Sequence, residues 1–312
     1  MLAFVTSSLF AQSDLKEVES FGANPGNLRM YLYSPQNVID TIGDMPLVIV
    51  LHGCNQDAKS IAEQTGWNKL ADQRYFYVLY VEQKRGNNPS KCFNWYQLKD
   101  VSRGNGEITS IKSMMGYTLK NHPIDASRVF VYGLSAGAAS SVALLANYPN
   151  LFKAGAIFAG APFMAAAHSY NALNAMKNPK NKSPEEWGKL VTKINTGYTG
   201  TYPKLIVAHG TKDRVVSFNN SIELIDQWSY LHKIEIDSAH VVTAFEGHED
   251  LTKKTWLNSN NKAVIQFYQM KGLGHSLAID PGEGINQGGK TGLFATDTGF
   301  HSTAMIANDF GL

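Results

Sequence analysis

Hydrophobic residues in this chain gather into short, mostly unbroken runs, separated by longer stretches in which apolar positions recur at helical spacing. The runs at residues 47–51, 76–81, 128–132, 154–158, 204–208 and 264–270 read as strands. A parallel strand buried on both faces has no polar face, so its sequence does not alternate. Helical patterns lie between them, at residues 59–73, 108–120, 136–147 and 219–231. Strands alternating with helices predict βαβ units and an α/β fold with a mostly parallel sheet and helices on both faces. Residues 28–33 alternate more and predict an antiparallel edge strand.

Two stretches break the alternation. Residues 165–202 are rich in Asn, Lys and Pro and predict an insertion between two core strands, with modest helices at 171–177 and 184–194. This insertion is expected to cover part of the sheet's upper edge. Residues 273–300 are dense in Gly and contain Pro281, which predicts loop before a last short helix at 302–308. With no internal repeat, low-complexity tract or long linker, residues 12–312 read as one domain.

Composition narrows the function classes. The 312 residues are 44% hydrophobic and 17% charged, with 28 basic side chains against 26 acidic ones. A nucleic-acid binder carries a basic surface and a disordered chain a high net charge, so this balance argues against both. No apolar run approaches the roughly 20 residues of a membrane span. Residues 1–11 are apolar and small with a polar stretch after Ala11, the pattern of a secretory signal lacking its basic start. That predicts a secreted or periplasmic protein.

The chemistry is suggested first by Gly133-Leu134-Ser135-Ala136-Gly137. A strand runs into this pentapeptide, and a helix of small and apolar residues leaves it. Strand, tight turn and helix are what a nucleophile elbow needs to expose a serine oxygen at the carboxyl edge of a sheet. Serine needs a base, and the base needs a carboxylate to orient it. In this arrangement the acid and the histidine follow the serine in the chain. Asp213 comes just after the strand at 204–208, and His275 sits in a Gly-rich loop after the strand at 264–270. Ser135, His275 and Asp213 are therefore the expected nucleophile, base and acid. His248-Glu249-Asp250 is a rival, but it precedes a helix-like stretch, and its carboxylates read as charges at a helix start. His209, His232 and His240 read as structural. Neither HExxH nor CxxC occurs, and no metal or cofactor is expected.

Acyl transfer also needs two backbone N–H donors for the negative oxygen. Ala136, directly after the nucleophile, supplies one. Cys54, in the loop His52-Gly53-Cys54-Asn55 after the strand at 47–51, is the candidate for the second, with His52 bracing the loop. Cys92 lies in the aromatic segment Lys91-Cys92-Phe93-Asn94-Trp95-Tyr96. If both loops crown one sheet edge, Cys54 and Cys92 can form a disulfide that pins the oxyanion loop to an aromatic wall. The alternative is two buried thiols in a reducing compartment.

These residues resemble a known family, the polyhydroxybutyrate depolymerase esterases. The resemblance lies in Leu51-His52-Gly53-Cys54-Asn55-Gln56-Asp57, Gly66-Trp67-Asn68-Lys69-Leu70-Ala71-Asp72, Cys92-Phe93-Asn94-Trp95, Arg103-Gly104-Asn105-Gly106-Glu107, the serine pentapeptide and Ile306-Ala307-Asn308-Asp309-Phe310-Gly311-Leu312. It implies an α/β-hydrolase fold and an exported carboxylic ester hydrolase with the triad above. Related members include feruloyl and acetylxylan esterases, the alternative reading. On this resemblance Trp95 and Phe93, with Tyr96, line the substrate cleft, unless they pack the core. Arg103 and Glu107 are expected to form an ion pair behind it. With no separate polymer-binding domain or Thr-rich linker expected beside the catalytic domain, short or soluble esters are the expected substrates over crystalline polymer.

Overall fold

The structure, a computed structural model, describes residues 15–36 and 43–312. The expected signal at residues 1–11 lies outside them. Ten strands form one sheet: β1 (Lys16–Glu17), β2 (Arg29–Tyr33), β3 (Met45–Leu51), β4 (Tyr77–Glu82), β5 (Ile124–Leu134), β6 (Ala154–Phe158), β7 (Lys204–Gly210), β8 (His240–Val242), β9 (Leu251–Leu257) and β10 (Ala263–Met270). Their order is β1-β2-β4-β3-β5-β6-β7-β10-β9-β8. The six from β4 to β10 run parallel. Antiparallel strands close both ends.

The helices are α1 (Ala58–Thr65), α2 (Trp67–Arg74), α3 (Gly106–Asn121), α4 (Ala136–Asn147), α5 (Ser169–Lys177), α6 (Pro184–Ile194), α7 (Asn219–His232) and α8 (Ser302–Phe310). Successive strand residues point to opposite faces, so the apolar runs feed two cores. Leu47, Ile49, Val129, Val131, Leu205 and Val207 pack with Ile108 of α3, Val142 of α4 and Leu224 of α7. Val48, Val50, Phe130, Tyr132 and Ile206 pack on the other face with Ile61, Trp67, Leu70 and Ile306 of α1, α2 and α8.

Four expectations are corrected. The helix expected at 59–73 is two helices, because Gly66 takes a left-handed φ of 71° and ends α1 by donating to the Ala62 carbonyl. The stretch after His248 is not helical but the strand β9, paired antiparallel along β10. Its Lys253 lies 4.8 Å from the Phe245 and Tyr268 ring centres and 3.0 Å from Asp309 Oδ1, contacts made by distant segments that local pattern does not contain. β2 is antiparallel as expected but not the edge, since β1 pairs outside it. Within the loop expected at 273–300, β11 (Leu277–Ile279) and β12 (Ala295–Asp297) pair in parallel.

The stretch between β6 and β7 carries α5 and α6. Pro184 opens α6, and Ser183 and Glu186 form its capping box. Ala172, Ala175 and Met176 of α5 and Trp187 of α6 pack with Trp95, Ala136, Ala139 and Val216, a third cluster at the carboxyl edge of the sheet.

Candidate active site

Ser135 leaves the end of β5 with φ 55° and ψ −120°. An L-residue held in such a region costs on the order of 1–3 kcal/mol and persists only where its surroundings enforce it. Here they do. The Ser135 N–H donates to the Phe158 carbonyl at the end of β6 (2.9 Å), and the Ser135 carbonyl accepts from the Ala139 N–H (3.0 Å). Gly137 lets the first turn of α4 press on the loop after β3. A Cβ at that position would lie 2.4 Å from the His52 carbonyl oxygen and 2.5 Å from that of Leu51.

Asp213 and His275 lie on loops after the adjacent parallel strands β7 and β10. Those loops are tied together by bonds from the Thr211 N–H to the Met270 carbonyl and from the Lys212 N–H to the Leu273 carbonyl, both 2.9 Å. His275 Nδ1 is 2.6 Å from Asp213 Oδ2, so Nδ1–H donates to the carboxylate and Nε2 keeps its lone pair. The other carboxylate oxygen accepts from the Val215 and Val216 N–H groups at 2.8 and 2.9 Å. Burial opposes the charge on Asp213. Hydrogen bonds from His209 and His275, the His275 charge and the backbone donors outweigh it and hold the carboxyl well below its usual range.

His209, expected to be structural, is a further partner of Asp213. It is fully buried, and its Nε2 lies 3.2 Å from Asp213 Oδ2 and 3.1 Å from the Val216 carbonyl, so this nitrogen carries the hydrogen. Its i,i+4 spacing from Asp213 at the end of a strand was the available signal. Phe294 also borders the site, with its ring edge-on to His275 at 6.1 Å. The rival His248 packs instead against the ring of Phe300, 5.1 Å between centres. Among the described residues, no group of three or more His, Cys, Asp or Glu side chains is placed to hold a metal ion.

The loop after β3 lies beside Ser135, since a Cβ on Gly53 would be 3.5 Å from the Ser135 Cβ. The N–H groups of Cys54 and Ala136 have no acceptor among the described residues. His52 Nδ1–H donates to the Gly53 carbonyl (2.6 Å), and its Nε2 accepts from the Gln83 N–H (3.1 Å). Burial pushes this imidazole down to about 4, which suits a neutral ring that must accept. Cys54 and Cys92 are joined in a disulfide.

The aromatic segment divides. Trp95 packs against Ala136 and Ala139 of α4, next to the serine. Phe93 is fully buried in the main core and lies under the His52 ring at 5.0 Å, so the cleft-lining expected of it is corrected to support of the loop. The Arg103–Glu107 pair does not form. Arg103 donates to the Asn147 carbonyl at the end of α4 and to Asn195 Oδ1. Glu107 turns inward and accepts from Gln83 and the Asn94 N–H. Burial, with Asp100 adding, pushes Glu107 up to about 8.

A parallel sheet with helices on both faces, a serine at a strained strand–helix turn and a hydrogen-bonded Asp–His pair at the same edge make this an α/β-hydrolase fold. The family described as esterase PHB depolymerase matches residues 28–253. Poly(3-hydroxyalkanoate) depolymerase C of Paucimonas lemoignei is 37% identical over 100% of this chain and 73% of its own length. Feruloyl esterase B of Talaromyces stipitatus is 32% identical over 94% of this chain and 80% of its own. An acetyl xylan esterase from Aspergillus awamori shares the fold, with a TM-score of 0.76 at 23% identity over 84% of this chain and 94% of that one. The chain belongs to the PHB depolymerase esterase family and is a carboxylic ester hydrolase.

Proposed function

We propose that the protein cleaves esters of the hydroxyalkanoate type through an acyl-enzyme formed on Ser135. The observation that carries this is the Asp213–His275 hydrogen bond at the sheet edge where the Ser135 elbow emerges. Ser135 Oγ attacks the ester carbonyl carbon and its proton passes to His275 Nε2. Asp213 keeps the imidazole in the tautomer that can accept and then stabilises the cation. The Cys54 and Ala136 N–H groups hold the oxyanion. Collapse breaks the C–O bond, and the leaving alkoxide takes the proton from Nε2. Water then repeats the sequence on the acyl-enzyme and frees Ser135.

Apolar side chains at the mouth favour an apolar ester. Val215 follows the acid loop, and Leu293 adjoins Phe294, whose ring lies edge-on to His275. Trp95 forms the inner wall. The disulfide fits an oxidising compartment, in keeping with export. The second reading is a feruloyl or acetylxylan esterase, supported by the feruloyl esterase relative. Clearing of an amorphous hydroxybutyrate suspension, run beside ferulate release from methyl ferulate, separates the two. A fluorophosphonate should label Ser135 in the folded protein, and an unlabelled Ser135 would refute the acyl-enzyme.

A further inference from the structure

The residues that hold the oxyanion loop form a buried polar chain ending on a carboxylate outside the site. The Gln83 N–H donates to His52 Nε2, and Gln83 Nε2 donates to the Cys92 carbonyl (3.3 Å) and to Glu107 Oε1 (2.5 Å). The orientation of this amide is unambiguous. Its oxygen accepts from the Lys84 N–H at 3.0 Å and from Asn87 Nδ2 at 2.6 Å, so its nitrogen must face the two acceptors. The second Glu107 oxygen takes the Asn94 N–H at 2.9 Å, one residue before Trp95. Glu107 sits in the first turn of α3.

One carboxyl group therefore grips both ends of the segment from Gln83 to Asn94. That segment in turn holds the oxyanion loop at three further points: the Cys54–Cys92 disulfide, the Asn55 N–H on the Ser90 carbonyl (2.6 Å) and Lys91 on Asp57 (3.3 Å). The geometry points to Glu107 as a positioning residue for ester hydrolysis, one that acts through Gln83 and His52 to aim the Cys54 N–H at the developing oxyanion. Glu107 touches neither Ser135 nor His275 in this arrangement. Its effect is on transition-state binding and not on the ground-state fit of the ester. This inference rests on the assignment of Cys54 as an oxyanion donor made above.

The test is Glu107→Ala, with kcat expressed per serine titrated by a fluorophosphonate. Displacing a catalytic group by about 1 Å costs up to about 100-fold. The expected result is a kcat lowered about 10- to 100-fold with KM within threefold. The inhibition constant of a trifluoromethyl ketone, which forms a tetrahedral oxyanion on Ser135, should rise by a similar factor. Glu107→Gln keeps one acceptor and should recover part of the loss. A variant with a lower Tm but kcat per site and ketone affinity within threefold of wild type would show that Glu107 only stabilises the fold. If Glu107→Ala does not fold, Gln83→Met keeps length and burial, removes the amide, and is judged on the same two readouts. Failure of the underlying assignment looks different: the wild-type enzyme itself would not bind the ketone tightly.

Discussion

Replacement of Asp213 by Asn tests the acid–base assignment through hydrogen-bond geometry alone. All four contacts of this carboxylate come from donors: His275 and His209 on Oδ2, and the Val215 and Val216 N–H groups on Oδ1. An amide must turn its NH2 toward one pair. Facing the backbone, it leaves the exposed Val215 N–H to water and orphans that of the buried Val216, which has no other form, at about 1–3 kcal/mol. Facing the imidazoles, it meets His275, which can change tautomer, and His209, whose Nε2–H still has the Val216 carbonyl. Even the low end, about 1 kcal/mol, favours the imidazole side by roughly fivefold. His275 Nδ1 then accepts, Nε2 carries the hydrogen, and the ring cannot take the Ser135 proton. Loss of the carboxylate from such a triad costs about 10⁴ in kcat, and a fall of about 10³- to 10⁴-fold is expected on p-nitrophenyl butyrate, with fold and KM little changed. Nitrogen NMR of the imidazole should show the proton moved from Nδ1 to Nε2. Activity within tenfold of wild type, or a retained Nδ1–H, would refute the assignment.

Three further outcomes are expected. The disulfide closes a 38-residue separation, so the chain-entropy model assigns it about 4 kcal/mol; a Cys54→Ala/Cys92→Ala double variant should show a loss of that size by urea denaturation, and an unchanged midpoint contradicts it. His52 is held down at about 4 against about 6.5 unfolded, so the unfolded chain binds the extra proton first. Stability is complete above pH 6.5 and falls by roughly 3 kcal/mol as pH drops toward 4, and His52→Gln should flatten that slope in chemical melts. Gly137→Ala forces a methyl group onto two backbone carbonyl oxygens, and should cost about 1–3 kcal/mol in thermal melts and lower kcat by shifting the loop after β3.

The strand–helix alternation and the six central strands were legible from sequence because strands buried on both faces leave unbroken apolar runs. Ser135, Asp213 and His275 were legible as candidates because each follows such a run in the order this fold uses. Where the reading failed, the deciding contacts were distant in sequence. The stretch after His248 becomes a strand because β10 offers it an edge to pair with. Phe93 and Trp95 are two residues apart, yet Phe93 packs into the main core and Trp95 into the separate cluster with α4 and α5.

Sequence by itself determined the class of fold and the residue types available for chemistry, since both rest on local periodicity and motif spacing. Tertiary structure alone decided the partners. It joined Cys54 to Cys92, and parted Arg103 from Glu107 by giving each of them other partners along the chain. The physical reason is one of range: a hydrogen bond is made or lost within about 1 Å, and no local pattern places residues far apart in the chain to that precision.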